Sequence, residues 1–361
     1  MGQSLMLLGM DFTLLSELPQ YVSLTVKRAY WEVGGFKLTL KRGMPGWDKL
    51  ARERLLFSPD RPEMMLLIEK VTFSEDKAVA DGVPLKGLAK RRVCVPPREA
   101  PEGDPYRAFG WDRFAGDAES AYLHYAANNL TSPEDAKRAM PRMSLAENLH
   151  RGAELPWQAR FDRLHELFED IGAATGVGWD IRPDFAHRRF VFTAWAGNDL
   201  TTGGRRAALS RRLGNLEGST LADDGSTEIS TVYAGGSGED ENRLIVSVGN
   251  ERAGFDRREG WTDVSGVEDI DMLRLGAERK LSPVKRTITA TVRDSGLCRY
   301  GRDYDVGDVL TVLTDEARMD ARLVAMEETS ESGARRLKAT FGDAPVTLTS
   351  LLKGQAKGTV R

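Results

Sequence analysis

The chain has 361 residues, of which 41% are hydrophobic and 29% are charged, and its formal net charge is -3. This length exceeds what one hydrophobic core usually serves, so we expect two or three domains. The small negative charge excludes a strong overall attraction to nucleic acid or to an anionic membrane.

Residues 1–14 form an apolar N-terminal arm in the sequence. Asp11 interrupts the apolar run and no basic segment precedes it, so we expect no signal peptide. Met6 stands where a myristoylation signal has Ser or Thr. No run of about 18 apolar residues follows, so no membrane anchor is expected. The arm is predicted to pack on its own subunit or on a neighbouring one, because uncovered apolar surface is costly in water.

Residues 15–98 have the pattern of a small antiparallel β-domain. Apolar and polar residues alternate over 36–41, as in a half-buried strand, and Gly34-Gly35 suits the tight turn before it. Further strands are predicted at 63–82 and 89–97. Two prolines end the last strand, because proline cannot donate to a β-ladder. We therefore expect a first β-barrel-like domain here.

The segment 99–178 is predicted to contain a connector and a helical region. Its first part is rich in proline, glycine and acidic residues, as in a linker. Apolar residues then recur at helical spacing in 117–130 and again in 156–178, where glycines follow the last turn. We therefore expect two helices that pack through one face each.

Residues 179–282 are predicted to form a mixed β-strand region with one helix. A hairpin is expected over 178–197, and further strands over 227–236 and 242–250. The helix follows these strands, and its apolar face is predicted to carry Ile270, Leu273 and Ala277.

The segment 283–343 is predicted to be a second small β-barrel-like domain. One strand is expected over 285–294, and three short strands with their turns over 301–343. A short basic tail, 344–361, follows. Because strands and helices come in blocks, the expected fold class is α+β, with two small antiparallel β-barrel-like domains flanking a mixed helix and strand region.

Few patterns in the sequence indicate catalysis. The glycine-rich segment 234–240 lacks the Gly-Lys-Ser/Thr of a phosphate-binding loop, and no Gly-x-Ser-x-Gly motif of a serine hydrolase is present. The four histidines have no metal-binding spacing, and the two cysteines, Cys94 and Cys298, form no Cys-x-x-Cys motif. We therefore expect no enzymatic activity, no cofactor and no metal site.

Arginines are concentrated in one stretch, at Arg182, Arg188, Arg189, Arg205, Arg206, Arg211 and Arg212. The last four are candidate subunit-interface residues, because arginine forms bidentate ion pairs with carboxylates such as those of 238–242 in a neighbouring subunit. The stretch could instead contact nucleic acid, through phosphates and through stacking on Phe190, Phe192 and Trp195, or remain a solvated surface. The slightly negative overall charge favours an interface or a solvated surface over nucleic acid.

The order of several short motifs carries a resemblance to a known family. They are YWEVGGFKLTL, LLIEKV, KGLAKRRVCVPP, AESAYLHYAANNL, GAATGVGWDI, RRFVFTAWAGNDLT, GFDRREGWTDV, YDVGDVLTVL and ATFGD. In this succession, from about residue 20 to residue 343, the chain resembles the siphovirus tail-protein family named after the ReqiPepy phage. That family is similar in layout to the hub proteins of phage baseplates.

The resemblance implies a virion structural protein of the tail tip rather than an enzyme. Three subunits of such a hub present six β-barrels and adapt a six-fold tail to a three-fold tip. The implied partners are its own copies in a homotrimer, a distal tail or tail-tube protein, the tape-measure protein, and a tail fibre or receptor-binding protein. Nucleic acid is implied only as the transiting genome, and the expected location is the virion tail, after synthesis in the bacterial host cytoplasm.

One alternative from a different class stays open at this point. A cell-envelope glycan-binding or glycan-cleaving tail-associated enzyme is suggested by seven tryptophans and many carboxylates. Glycan cleavage needs two carboxylates held about 5–10 Å apart across a cleft, which spacing in sequence does not reveal.

Overall fold

Among the residues that the structure describes, 48% lie in strands and 17% in helices. The structure is a computed structural model that describes residues 4–97, 112–263, 268–278, 280–294, 298–315, 318–331 and 333–342. Within these ranges it has one large, almost wholly antiparallel sheet, three small sheets and three α-helices. The expected fold class is therefore confirmed in its coarse form, with β-structure dominant.

The first strand of the large sheet begins inside the predicted apolar arm. The N-terminal strands are β1 (Leu5–Gly9), β2 (Leu14–Leu18), β3 (Ser23–Ala29), β4 (Gly35–Lys41), β5 (Arg54–Ser58), β6 (Arg61–Phe73) and β7 (Lys77–Pro84). They pair in the order β2-β1-β5-β6-β7-β4-β3. The predicted alternation of β4 is confirmed, because Phe36, Leu38 and Leu40 are buried and the residues between them are not.

The middle of the chain supplies two α-helices and two small sheets. Its elements are β8 (Asp112–Asp117), α1 (Ala118–Ala126), β9 (Met143–Leu145), β10 (Glu154–Ala159), α2 (Leu164–Thr175), β11 (Gly178–Asp184) and β12 (Arg189–Trp195). The strands β11 and β12 form the predicted hairpin, with β9 parallel to β12, while β8 pairs with β10. A π-helical turn, Ala127–Thr131, extends α1.

The remaining elements complete the large sheet and add a small module. They are β13 (Ala208–Ser210), β14 (Leu216–Asp224), β15 (Thr231–Gly235), β16 (Ile245–Val248), β17 (Glu259–Asp263), α3 (Ile270–Glu278), β18 (Lys285–Val292), β19 (Val309–Leu313), β20 (Arg318–Glu331) and β21 (Ala334–Gly342). The strands β15 to β17 form their own sheet, on which α3 packs. On α3, Leu273 and Ala277 are buried as predicted, whereas Ile270 is exposed.

The two regions expected as separate barrel-like domains share one sheet of 13 strands. Its main path is β14-β18-β21-β20-β3-β4-β7-β6-β5-β1-β2. The strands β3 and β20 join the two regions by an antiparallel ladder from Ser23 opposite Glu331 to Ala29 opposite Ala325. Among the described residues, the ladders of this path do not close into a barrel.

Two sequence predictions are wrong in their local detail. The strand expected over 89–97 is replaced by a 3-10 helix, Leu85–Arg91, and by an isolated bridge between Val93 and Arg163. The helix expected from residue 156 begins only at Leu164, because Trp157 and Ala159 alternate inward on β10. The connector residues 98–111 and the tail 344–361 lie outside the described residues.

Three hydrophobic cores meet beside the β3–β4 connection. One lies under the N-terminal strands, one surrounds α1, α2 and β12, and one lies under the C-terminal strands. Tyr30, which is completely buried, belongs to the C-terminal core, although it directly follows β3. The strand that joins the two halves of the sheet is thus also where the cores converge.

Candidate subunit interface

The central part of the large sheet has a continuous polar face. Across six adjacent strands, the register aligns Lys70, Asp81, Lys37, Thr25, Thr329 and Arg336 in one row. The hydroxyls of Thr25 and Thr329 lie 3.2 Å apart, so a hydrogen bond crosses the junction of β3 and β20. Side chains of alternate residues point to opposite faces of a strand, so the apolar residues lie on the other side, against the cores. Over these six strands, this face therefore suits contact with water.

The main path of the large sheet ends in two different edges, and β13 is the edge of a short branch that leaves this path through β19. In the described part of the chain, β14 pairs only with β18, and β2 pairs only with β1. Most of β14 is solvent-exposed, including Leu221. Because the backbone groups of an edge strand are free to pair with another chain, both edges are candidate contact surfaces.

The candidate arginines lie on two neighbouring surface segments near β13. Arg205 and Arg206 lie in the loop before this strand, and Arg211 and Arg212 in the turn after it, and all four are exposed. Arg211 forms an ion pair with Asp315 of the same chain at 2.7 Å. Arg206 donates from Nε to the carbonyl oxygen of Gly203. The fold therefore brings the four residues into one region.

The loop that carries Arg205 and Arg206 is held firmly at its base. The buried carboxylate of Asp308 accepts hydrogen bonds from the backbone N–H of Asn198 at 2.7 Å and from that of Asp305 at 2.8 Å. Leu200 and Ala207 close the loop, since the N–H of Ala207 donates to the carbonyl oxygen of Leu200. Arg205 and Arg206 thus project from a fixed support.

A surface cleft of about 420 Å³ lies beside this loop. It is lined by side chains of both signs, including Asp199, Arg205, Arg302, Asp303 and Tyr304. Hydrogen bonds from Thr201 lower the pKa of the Asp199 carboxyl, so this group stays charged at neutral pH. A partner surface that also carries charges of both signs could therefore pair its acidic residues with the arginines of the cleft and its arginines with the acidic residues of the cleft.

Two of the other three arginines of the stretch are engaged within their own hairpin. Arg189 forms an ion pair with Asp184 at 2.8 Å, and the guanidinium of Arg182 lies 5.1 Å from the ring centre of Trp195. Phe190 and Phe192 are buried in the core and cannot stack on bases. The nucleic-acid alternative therefore loses two of the three aromatic residues on which it depended.

Tyr30 connects the two halves of the molecule, and sequence reasoning missed it. Its hydroxyl accepts a hydrogen bond from the N–H of Gly197 at 3.0 Å and faces the carbonyl oxygens of Gly176 and Trp195 at 3.1 and 3.0 Å. A Cβ atom at Gly178 would lie 2.2 Å from the ring, and one at Gly307 would lie 2.4 Å from it. Only glycine fits at these two positions.

A buried lysine fixes the same connection from the other side. Lys86 donates to the carbonyl oxygens of Ala29 and Tyr30, and its ammonium lies 4.4 Å from the ring centre of Trp179. Burial lowers the pKa of Lys86 to about 8. Burial also raises the pKa of the nearby Glu169 carboxyl to about 7, and the charge of Glu32 adds to that effect.

The fold brings one serine, one histidine and one aspartate together. Ser120 Oγ donates to Asp117 Oδ2 at 2.6 Å, and His150 Nδ1 lies 3.1 Å from the same oxygen and 3.3 Å from Ser120 Oγ. In a catalytic triad the serine and the aspartate contact opposite ring nitrogens, whereas here both face Nδ1. Asp117 also accepts from the N–H of Ser120, so the cluster is the N-cap of α1.

Two further features are absent from the part of the chain that the structure describes. No group of three or more His, Cys, Asp or Glu side chains suited to a metal ion lies in the described ranges. Among those same residues, no helix combines the length and the apolar character needed to cross a membrane.

Solved structures share the fold over nearly the whole chain. A 43 kDa tail protein of prophage MuSo2 from Shewanella oneidensis matches with a TM-score of 0.58 and 9% identity, covering 96% of this chain and 100% of that one. The tail protein from Neisseria meningitidis MC58 matches at 0.57 and 14%, covering 97% and 99%. The prophage tail protein gp18 from Listeria monocytogenes EGD-e matches at 0.52 and 11%, covering 99% of each chain. The fold is thus one found in phage tail proteins.

The family follows from the sequence. The chain belongs to the Siphovirus ReqiPepy6 Gp37-like protein family, whose model matches residues 4–343. The resemblance expected from the order of motifs is thereby confirmed. No curated protein matches the chain in sequence.

Proposed function

We propose that this protein is a structural component of a phage or prophage tail tip, a trimeric hub that joins the tail tube to the tip or receptor-binding apparatus. The observation that carries the proposal is the main path of the large sheet, which has a polar face across six strands and ends in two unlike edges. Membership of the siphovirus family and the fold of tail proteins support the same placement.

The two edges suit assembly into a closed ring. A ring arises when one surface of each subunit meets a different surface of the next. The edge strands β14 and β2 are two such surfaces, and their pairing would cover backbone groups that otherwise stay open. Each chain contributes two sheet halves, joined by β3 and β20, so three chains present six. The regions 15–98 and 283–343, which share this one open sheet, are in this proposal the two β-units of each subunit.

The polar face gives the ring a channel. Lysine, threonine and aspartate side chains along it stay hydrated, so a tape-measure protein or the transiting genome passes a wetted surface rather than an apolar one. The outer faces then contact the tail-tube or distal tail protein on one side and a fibre or receptor-binding protein on the other. The virion tail is the location that follows, with synthesis in the bacterial host cytoplasm.

The exposed arginines add a charged contact between neighbouring subunits. Arg205, Arg206 and Arg212 extend from the surface near β13, and the exposed acidic residues at 239–241 lie in the β15–β16 connection. Pairing between these segments of adjacent chains orients the ring, because opposite charges favour one register over others.

Electron microscopy of isolated tails tests the hub directly. We expect three copies of this chain around the tail axis at the tube end, with the row from Lys70 to Arg336 facing the channel. A ring of six whole subunits, a single copy per tail, or a location away from the tube end would each contradict the proposal. A monomer in solution would not, since a tail-tube template can be required for assembly.

The enzymatic alternative makes the opposite prediction in an assay of the purified chain. We expect no hydrolysis of peptidoglycan or polysaccharide, since the solved structures that share the fold are tail proteins. Turnover that disappears on substitution of one carboxylate would overturn this expectation.

A further inference from the structure

A loop of the small module built from β15, β16, β17 and α3 presents one phenylalanine to solvent. This tip loop, residues 250–258, connects β16 to β17 and contains a 3-10 turn, Gly254–Asp256. The side chain of Phe255 on this turn is 105% exposed, whereas no other large apolar side chain among the described residues exceeds 58%. The ring therefore projects freely from the loop, and its contact with water is unfavourable.

The tip loop is fixed near both ends by one carboxylate. Glu228, which follows β14 and whose side chain is only 7% exposed, forms ion pairs with Arg252 at 2.8 Å and with Arg258 at 3.2 Å. The N–H of Arg258 also donates to Ser230 Oγ at 2.9 Å. A group held in a fixed position loses little conformational freedom when it binds, so Phe255 is preorganised for a contact.

The charge that the tip loop leaves unpaired is negative. Its three arginines form ion pairs with Glu228 and Glu259. The carboxylates of Glu251 and Asp256 are exposed and, within the described part of the chain, have no ion pair or hydrogen bond. A surface that fits this loop therefore needs an apolar site for the ring of Phe255 and positive charge around that site.

A groove on another part of the chain offers the apolar site. This methionine groove has a volume of about 420 Å³, and its apolar lining comes from Met10, Leu88, Met140, Pro141, Met143 and Phe190. An apolar cavity of about 150 Å³ is large enough to bind benzene, so a phenyl ring fits here. Methionine side chains adapt their shape readily, and their sulfur atoms make favourable contacts with aromatic rings.

The rim of the methionine groove offers the positive charge. Three arginines and two acidic residues line it, namely Asp11, Glu53, Arg91, Arg92 and Arg142. Arg91 forms an ion pair with Glu53 at 2.7 Å. Arg92 and Arg142 donate to backbone carbonyl oxygens, and neither has an ion pair in the described ranges. Their guanidinium groups keep donors that can bind a carboxylate.

We propose that the tip loop docks on a second copy of this chain, with Phe255 inserted into the methionine groove of that copy. Glu251 and Asp256 then face the arginines of the rim, and the opposite charges orient the contact. Because the loop and the groove are different surfaces of one chain, the contact is head to tail, as in a ring. The proposal rests on the trimeric ring proposed above and supplies a specific contact between its neighbouring subunits.

The loop and the groove lie beside the two edges of the main sheet path. Met10 and Asp11 belong to the turn between β1 and the edge strand β2. Arg258 of the tip loop donates to the carbonyl oxygen of Gly225, which directly follows the edge strand β14. A head-to-tail contact between these edges therefore turns the loop of one subunit towards the groove-bearing side of the next.

The same charges disfavour a membrane as the partner. Anionic lipid attracts basic segments, whereas the free carboxylates on either side of Phe255 are negative. The methionine groove instead combines an apolar site with arginines whose charge is opposite to that of the loop.

Photo-crosslinking in assembled tails identifies what contacts the ring. Benzoylphenylalanine incorporated at position 255 keeps an aromatic side chain and, on irradiation, bonds to C–H groups within its reach. We expect covalent products at two and three times the mass of the chain. Mass spectrometry after proteolysis should join position 255 to Met10, Met140 or Met143.

A competition experiment measures how much the ring contributes. Cells that produce wild type and Phe255→Ala in equal amounts should build tails in which wild type is enriched about tenfold or more. Phe73→Ala is the matched control, because it removes a half-exposed phenylalanine on β6, outside the loop and the groove, and should be incorporated like wild type. Circular dichroism checks that both variants are folded.

The outcomes separate this contact from the hub itself. A three-fold ring in which position 255 is joined to another protein, to its own chain or to nothing would overturn the contact and leave the hub intact. Equal incorporation of Phe255→Ala and wild type would overturn the contact too. Links between two copies in tails without a three-fold ring would support the contact and contradict the hub.

Discussion

Removing one oxygen atom from Tyr30 tests whether this residue holds the two halves of the sheet together. In Tyr30→Phe the ring still fills its space between Gly178 and Gly307, so packing is retained. The hydroxyl's hydrogen bonds are lost: the one accepted from Gly197 and the one donated to either Gly176 or Trp195. The substitution therefore isolates the contribution of these hydrogen bonds to the stability of the folded protein.

The expected loss of stability is about 2 kcal/mol. A typical internal hydrogen bond contributes roughly 0.5–1.5 kcal/mol, and a donor left without a partner costs about 1–3 kcal/mol. Tyr30 is completely buried, so water cannot readily replace the hydroxyl beside the Gly197 N–H. A loss of this size shifts the folding equilibrium by about 30-fold. With a urea m-value of roughly 4–5 kcal/mol/M for a chain of this length, the unfolding midpoint drops by about 0.5 M.

Urea unfolding followed by circular dichroism measures the shift, with Tyr21→Phe as the control. Tyr21 is only half-buried and its hydroxyl bonds Ser330, so water can replace that contact and the cost should stay below about 1 kcal/mol. Equal midpoints for the two variants, or a Tyr30→Phe midpoint within error of wild type, would refute the role assigned to Tyr30.

Three further predictions follow from other contacts. Gly178→Ala should lower the free energy of unfolding by about 1–3 kcal/mol, measured by urea unfolding, because the added methyl overlaps the Tyr30 ring. Arg205→Glu with Arg206→Glu should impair tail assembly, scored by electron microscopy, while the monomer stays folded; both are changed because one exposed pair contributes only about 0–1 kcal/mol. Glu169 has a folded-state pKa of about 7 against an ordinary 4.5, so the folded protein holds this proton more tightly than the unfolded chain. Its contribution to stability should therefore decline as the pH rises from about 4.5 to about 7, and the decline should be absent in Glu169→Gln.

Each of these three predictions has a matched control or a result that would contradict it. Gly218→Ala adds a methyl where no atom lies within 4 Å and should cost little; a cost equal to that of Gly178→Ala would contradict the overlap. Charge reversal at two other exposed arginines, Arg113 on β8 and Arg160 directly after β10, should leave assembly intact. Identical pH profiles for wild type and Glu169→Gln would show that this carboxyl is not perturbed.

Local periodicity predicted the local elements. The alternation at 36–41 and the helical face with Leu273 and Ala277 are confirmed because each depends on burial of one side of one element. The same rule failed at 156–163, where it predicted a helix. Trp157 and Ala159 are buried on a strand that precedes the helix in sequence. It also failed at 89–97, where packing of Leu85, Leu88 and Ala89 favours a 3-10 helix.

Such patterns did not predict the pairing of strands that lie far apart in the sequence. Nothing in the sequence of β3 indicates that its second neighbour is β20, because an edge strand and a central strand with one polar face have the same alternation. Separate barrel-like domains were therefore the natural expectation. The candidate arginines were found from their density, whereas Tyr30, Asp308 and Gly178 act through contacts between distant segments and carry no local signal.

The pairing of β3 with β20 also sets an order in time. During synthesis, β3 (Ser23–Ala29) emerges from the ribosome nearly 300 residues before its partner β20 (Arg318–Glu331). Until then its outer edge has no neighbour in the chain, and contacts of such high sequence separation form slowly. Nascent chains of this protein are thus exposed to wrong strand pairing at this edge through most of translation.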